Sequence, residues 1–384
     1  MMIKIILVAL ALFCSTLSPP VSWAAARQPV RVVYGFDREF PPFSFEDAGG
    51  KPVGFEVEIL EAVFQNSANL ITRPLQWDLI PVELGSGTIT VTSGMVKTEE
   101  RAKVFRFAAL PTFSLQIRMF TKTYNRYPNA TFLRGLRVAV EQGSYQNRLL
   151  ENFGGVNIKT FKDKISPIKA LYNDEVEAYC GPVQNAYYFM NKFGYSGIST
   201  MGTPLGISEL RFAVNRDRGD ILNLLNDGMQ KIRDNGEYDR IYRKWFVRNL
   251  TGDESLKLLN KAKEGILTAY VPYSNATRGA AVLSATGHYY AGSAVENKDK
   301  RLSVSALTSA LAAAITAGDM EIQAAICVNA DGKTVPLTKD ELAQLHEFGR
   351  GILAVQLNAE GILSGMMVGE LLSAPATRPE NTPQ

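Results

Sequence analysis

The stretch Ser93-Gly94-Met95-Val96-Lys97-Thr98-Glu99-Glu100-Arg101 decides how most of this chain is read. It follows the strand-like run Ile89-Thr90-Val91-Thr92 and opens a charged segment, so it reads as a strand end turning into a helix start. A turn of that kind presents backbone N–H groups without intrahelical partners, and here one arginine stands at its rim. Amides and a guanidinium fork together suit a carboxylate or another small anion. Taken alone, Thr98-x-x-Arg101 also describes a plain helix cap with a solvated arginine.

Outward from that stretch the pattern is strand, helix, strand. Val30 to Gly35 is a β-branched run with a glycine stop, and 56–65 carries apolar residues at helical spacing. This rhythm predicts an α/β domain with a largely parallel sheet, whose strand ends face a crevice. Between the first strand and helix lies Asp37-Arg38-Glu39-Phe40-Pro41-Pro42-Phe43-Ser44-Phe45, an aromatic loop stiffened by proline. Farther on, Val138-Ala139-Val140 reads as a strand, and Glu141-Gln142-Gly143-Ser144-Tyr145 opens a helix with Ser144 at its N-cap.

Four segments in order carry a resemblance over roughly residues 29–250: Gly54-Phe55-Glu56-Val57-Glu58, Trp77-Asp78-Leu79-Ile80-Pro81, the opening stretch, and Gly236 to Phe246. In this order they resemble the family 3 extracellular solute-binding proteins, periplasmic receptors for polar amino acids and related solutes. The resemblance implies a two-lobed periplasmic-binding-protein fold (type II) that closes on a small polar or anionic solute and presents it to a membrane transporter or sensor. Lobe 1 is expected at 27–120 and 213–250 and lobe 2 at 121–212, with crossings at Phe120-Thr121-Lys122 and Arg211 to Val214. It further implies that Arg101 anchors the anion, that Ser93, Gly94, Gly143 and Ser144 lie on two anion-facing turns, and that Phe40 and Trp77 form apolar walls, with Phe43 and Phe45 in the core.

Two departures from the family pattern bear on the ligand. Val96 stands where a hydroxyl residue is usual, leaving a backbone N–H alone. The family's Asp-Ala-x-x-Gly-Asp becomes Glu177-Ala178-Tyr179-Cys180-Gly181-Pro182. In amino-acid receptors the second of those acids pairs with the ligand's α-ammonium, and Pro182 cannot. An acid lacking the amine is therefore expected, with Asp37 as the carboxylate left to compensate.

Past a charged helical link (251–264), Ala269-Tyr270-Val271-Pro272-Tyr273-Ser274 and Val295-Glu296-Asn297 make the chain look like a cytidine deaminase, an α/β/α sandwich, over 265–365. In that family a Cys-Ala-Glu and a Pro-Cys-x-x-Cys supply zinc ligands and a proton shuttle. Here the corresponding residues are Ser305-Ala306-Leu307 and Pro336 to Glu341, Ala294 replaces an asparagine, and Ala276 a stacking phenylalanine. The resemblance thus implies a pseudo-deaminase, without cofactor or metal, serving to form a homo-oligomer or dock a partner. Asp340, Glu341 and His346 are weighed as a substitute metal set and read instead as solvated helix residues. The final residues, 366–384, are expected as a tail.

Composition agrees with this outline. With 384 residues, 46% apolar and 21% charged, the chain can form two or three domains. A net charge of +3 and no basic run interleaved with aromatics argue against nucleic acid. Residues 1–26 read as a secretory signal: Lys4, the apolar core Ile5 to Phe13, then small residues at Ala24-Ala25-Ala26. A periplasmic location is expected, and bulky Phe13 before Cys14 argues against lipidation. Cys180 and Cys327 then remain and are expected to be buried and unbridged. The favoured reading is a non-catalytic receptor. The alternatives are a periplasmic dehydratase on the same scaffold, with Asp37, Glu141 or Glu177 as general acid, and a docking protein with a vestigial cleft.

Overall fold

A computed structural model describes residues 29–65, 67–125 and 127–373. The expected signal peptide and residues 374–384 lie outside the described residues. Among the described residues no helix is long and apolar enough to cross a membrane.

The N-terminal portion begins with β1 (Val30–Asp37), whose Val32, Tyr34 and Phe36 are fully buried, and α1 (Phe55–Phe64). Next come β2 (Ala68–Leu75), β3 (Val91–Val96) and the short α2 (Glu99–Val104). β4 (Phe113–Lys122) leads to a second set: β5 (Arg137–Glu141), α3 (Tyr145–Phe153), β6 (Asn157–Phe161), α4 (Ile165–Tyr172), β7 (Ala178–Pro182) and α5 (Val183–Phe193). The 18-residue β8 (Ile198–Asn215) returns to the first set, followed by α6 (Gly219–Asp234) and α7 (Glu237–Phe246).

The strands run β6-β5-β7-β4-β8-β3-β1-β2. Both wings are parallel, as expected, but β4 and β8 pair antiparallel with each other and with their neighbours β7 and β3. These two long strands carry the chain between the halves. β4 takes up β7 from Ile117, and β8 takes up β3 from Leu210. The passages therefore lie near 113–117 and 206–210, several residues before the expected crossings at Phe120 and Arg211.

Lobe 1 is held by rings packed edge to face and at a tilt. Phe113 lies 4.6 Å from Phe246 and 5.0 Å from Phe43, and Phe55 lies 5.0 Å from Phe246. Each such ring withdraws enough apolar surface to contribute about 2–3 kcal/mol. Phe45, expected in the core, is half-buried and sits between Tyr188 and Trp245 at the lobe edge.

The expected helical link is a helix, α8 (Gly252–Leu267), opened by a Thr251–Glu254 capping box, but it packs as part of the C-terminal domain. Its buried Leu258, Ala262 and Gly265 face the second sheet. That sheet contains β9 (Arg278–Ser284), β10 (Tyr289–Ser293), β11 (Ile322–Asn329), β12 (Leu353–Leu357) and β13 (Leu363–Met367), in the order β10-β9-β11-β12-β13. The helix α9 (Ala306–Thr316) covers its other face, with α10 (Lys339–Phe348) beyond. Glycines allow this closeness. A Cβ on Gly279 would come within 2.2 Å of the Ala262 carbonyl oxygen of α8, and one on Gly292 within 2.2 Å of the Ala306 carbonyl oxygen of α9. Neighbouring strand positions thus serve opposite faces, which gives the α/β/α sandwich. The expected tail at 366–384 begins instead as the end of β13 and a helix Val368–Ser373, whose Leu371 and Leu372 pack on this domain's core.

The domains meet along α7. Arg350 bonds Asp239 at 2.6 Å, Arg243 pairs with Glu370, and Arg248 reaches Gln323 at 3.0 Å. Toward lobe 2, Arg118 of β4 donates to the Gly202 carbonyl at 2.6 Å and to the Met320 sulfur at 2.9 Å, and lies 3.9 Å from Glu321. Cys180 and Cys327 are free and buried in different domains.

Candidate functional site

A cleft lies between the lobes where β3, the Asp37–Phe45 loop and the start of α3 converge. Eight of the ten residues expected at a ligand site line it: Asp37, Phe40, Trp77, Gly94, Val96, Arg101, Ser144 and Pro182. Ser93 and Gly143 do not. The Ser93 side chain is buried against the Tyr34 hydroxyl at 2.6 Å, because strand alternation turns it into the core. Gly143 has a φ of 67°, which supplies the turn that brings Ser144 to the helix start.

The opening stretch folds differently in detail from the expected strand-to-helix turn. β3 runs on through Val96, with Gly94 at φ 68°, and the helix waits until Glu99. Thr98 caps it, accepting from the Arg101 N–H at 3.2 Å, so the plain capping reading holds for that residue. The Arg101 side chain is free to do something else. It folds back into the cleft, donates Nη1 to the Val96 carbonyl at 3.0 Å, and lies 5.2 Å from the Trp77 ring centroid. Among the described residues it makes no ion pair. Burial lowers its pKa to about 10, with the nearby Arg148 adding to the effect.

One expected anion donor is engaged elsewhere. The Ser144 hydroxyl donates to the Glu141 carbonyl at 2.7 Å and accepts from the Asn147 N–H at 3.1 Å. Gly94 lies beside the Glu56 carboxyl, which accepts from Thr112. Burial raises Glu56 to about 7, against that hydrogen bond. What remains for an anion is the Arg101 fork and the first turn of α3, where Tyr145 and Gln146 line the cleft and first-turn amides lack intrahelical acceptors.

The residue missing from the sequence reading is Lys164. Its ammonium pairs with Asp37 Oδ2 from lobe 1 and, at 2.6 Å, with Glu141 Oε1 from lobe 2. Asp37, Glu141 and Lys164 are 3%, 5% and 6% exposed. Asp37 is thus already taken and does not stand open to compensate for Pro182. Burial pulls the Lys164 pKa down, but the two carboxylates outweigh it and the net direction is up. Burial and then Asp37 raise Glu141, and Lys164 opposes them. Glu177, weighed as a general acid, instead holds Arg137 through its backbone and side chain outside the cleft. Two further contacts close the lobes: Asn185 donates to the Pro41 carbonyl at 2.8 Å, and Arg148 pairs with Glu100.

In the C-terminal domain the positions matching the deaminase pattern serve the fold. Ser305 caps α9, accepting from the Thr308 N–H at 3.1 Å. Glu296 accepts from the Tyr273 and Ser274 amides at 2.9 and 3.1 Å. Glu341, expected as a solvated residue, is buried. It closes a capping box with Thr338 and lies 3.5 Å from Arg278.

The profile for bacterial extracellular solute-binding proteins, family 3, matches residues 32–248. That for the cytidine and deoxycytidylate deaminase zinc-binding region matches 228–341. The L-cystine-binding protein TcyJ of Escherichia coli K12 is 26% identical over 225 residues, covering 57% of this chain and 84% of that protein. The histidine-binding periplasmic protein of Salmonella typhimurium is 24% identical over 272 residues, 65% of this chain and 99% of its own. Among solved structures, an ancestral arginine-binding protein bound to glutamine superposes with a TM-score of 0.53 at 28% identity, over 56% of this chain and 97% of its own. A histidine kinase sensor domain similar to periplasmic binding proteins shares the fold, with a TM-score of 0.55 at 22% identity over 57% of this chain and 96% of its own.

Proposed function

Because the chain belongs to the bacterial extracellular solute-binding proteins of family 3, we propose that it is an exported, periplasmic receptor whose two lobes close on a small carboxylate or amino-acid-like solute. The observation that carries this is Arg101: a guanidinium turned into the inter-lobe cleft, stacked on Trp77 and, among the described residues, without a carboxylate partner. A cation withdrawn from water calls for an anion, and a ligand carboxylate supplies it. Phe40 and Trp77 flank the solute, and the α3 amides complete its cradle. The closed form is what a transporter or sensor partner would recognise.

The C-terminal domain is non-catalytic in this reading. The residues at the expected ligand and proton-shuttle positions, Ser305 and Leu307, cap and fill a helix. Its role is to dock or oligomerise. Stoichiometric zinc or cytidine turnover in the purified protein would overturn that half. For the receptor half, calorimetry on wild type and Arg101→Ala is the test. Carboxylate binding that survives the substitution removes Arg101 from the site.

One observation favours a second reading, a dehydratase acting on a cyclic carboxylate. Glu141 is a buried carboxyl in the cleft wall, and burial and Asp37 raise its pKa against the opposing Lys164, the direction a general acid needs. Turnover of prephenate by the purified protein would support it.

A further inference from the structure

Lys164 belongs to lobe 2, yet its ammonium lies in the floor of the cleft between one carboxylate from each lobe. The helix it precedes does not call for a lysine. Capping of α4 is done by Asp163, whose Oδ1 accepts from the Ile165 and Ser166 amides at 3.0 and 2.7 Å. The ammonium also lies 5.2 Å from the Phe40 ring centroid and 5.8 Å from that of Trp77. Two acids and two aromatic faces are the recognition set for an organic ammonium. In this protein that set is filled from within.

We propose that Lys164 is a built-in surrogate for a ligand's ammonium: it occupies the cleft's amine subsite, restricts the receptor to carboxylates without a cationic group, and ties the lobes together. The proposal rests on the cleft being the solute site and names the class of solute that fits it. Charge balance supports it. Asp37 and Glu141 already face Lys164, so Arg101 is the cation left for an incoming carboxylate. An added ammonium would meet Lys164 and Arg101 with both acids engaged, and Pro182 offers no charge. The remaining walls are apolar, formed by Val96, Leu115, Ile117 and Leu210, which suits a short hydrocarbon body.

The distinguishing consequence is a gain of binding. Lys164→Ala empties the amine subsite and leaves two buried carboxylates without a counter-ion. In calorimetry and thermal unfolding of the mature full-length protein, butylammonium should bind the variant about tenfold or more tighter than wild type and raise its Tm, with little effect on wild type. A variant folded by circular dichroism that ignores butylammonium overturns the proposal. So does a wild-type protein that binds butylammonium equally well. Should the facing carboxylates prevent folding, Lys164→Ala combined with Glu141→Gln removes one of them, and the same two outcomes decide. A separate arm titrates unbranched monocarboxylates from propionate to hexanoate into wild type and Arg101→Ala. Equal binding there overturns the solute-site reading itself, independently of the butylammonium result.

Discussion

Arg101 and Glu296 stand in different portions of this chain, and the fold treats the two in opposite ways. In the inter-lobe cleft, Arg101 is drawn from water and held by one backbone carbonyl, with its fork turned toward space. In the C-terminal domain, Glu296 is held by two amides and Ser305 by its own helix. A polar group already satisfied by its own fold contributes stability and has little left to offer a ligand. The contrast teaches that a functional site shows itself by unmet bonding capacity, and that family position alone does not reveal it.

The largest test of that contrast is Arg101→Ala. Losing the cation that meets a buried carboxylate should weaken binding by about 100-fold or more, read by calorimetry. The matching change in the other half, Glu296→Gln, should leave solute affinity unchanged. Equal losses in both would erase the distinction.

Next in size is a pH effect from a carboxyl buried behind Gly94. Glu56 keeps its proton in the folded state up to about 7, whereas the unfolded chain releases it near 4.5. Its contribution is therefore most favourable below pH 4.5, declines as pH rises, and levels off above about 7. Glu56→Gln should be the more stable form at pH 8 by up to about 3 kcal/mol, with the gap closing by pH 4.5. Urea unfolding at the two pH values measures it, and a gap independent of pH contradicts the assignment.

The smallest and sharpest comparison is between two serines doing the same structural job. Ser144 and Ser305 each cap a helix. Replacing either with alanine should cost about 1 kcal/mol of stability. Ser144→Ala alone should also weaken solute binding several-fold, because it loosens the α3 start beside Arg101. Denaturation and calorimetry on the pair separate the two roles.

Much of this could be read from the residues in order. The Val30, Val91 and Val138 strands, the helix starts at Thr98 and Ser144, and the aromatic loop around Phe40 all follow from local pattern, and that pattern set most of the cleft's lining. The antiparallel middle of the sheet was not legible, because β4 and β8 look like ordinary strands until their pairing across many residues is known. Ser93 was misplaced by one step of strand alternation. The helix Gly252–Leu267 is legible as a charged helical link, but its charged outer face conceals the buried stripe that makes it part of the C-terminal domain. Lys164 was missed for a different reason. Within Phe161-Lys162-Asp163-Lys164 it looks like any surface lysine, and its partners stand 127 and 23 residues away. Its importance is a property of lobe closure, which local spacing does not encode.

One feature of the domain contact has a mechanical consequence. The C-terminal domain grips lobe 1 through Arg350–Asp239 and Arg243–Glu370, and lobe 2 through Met320 and Glu321 with Arg118. A body fastened to both leaves of a hinge is a brace. For the leaves to swing apart one set of fasteners would have to let go, which would add to the cost of opening. High salt, which screens such pairs, should make the door swing more freely.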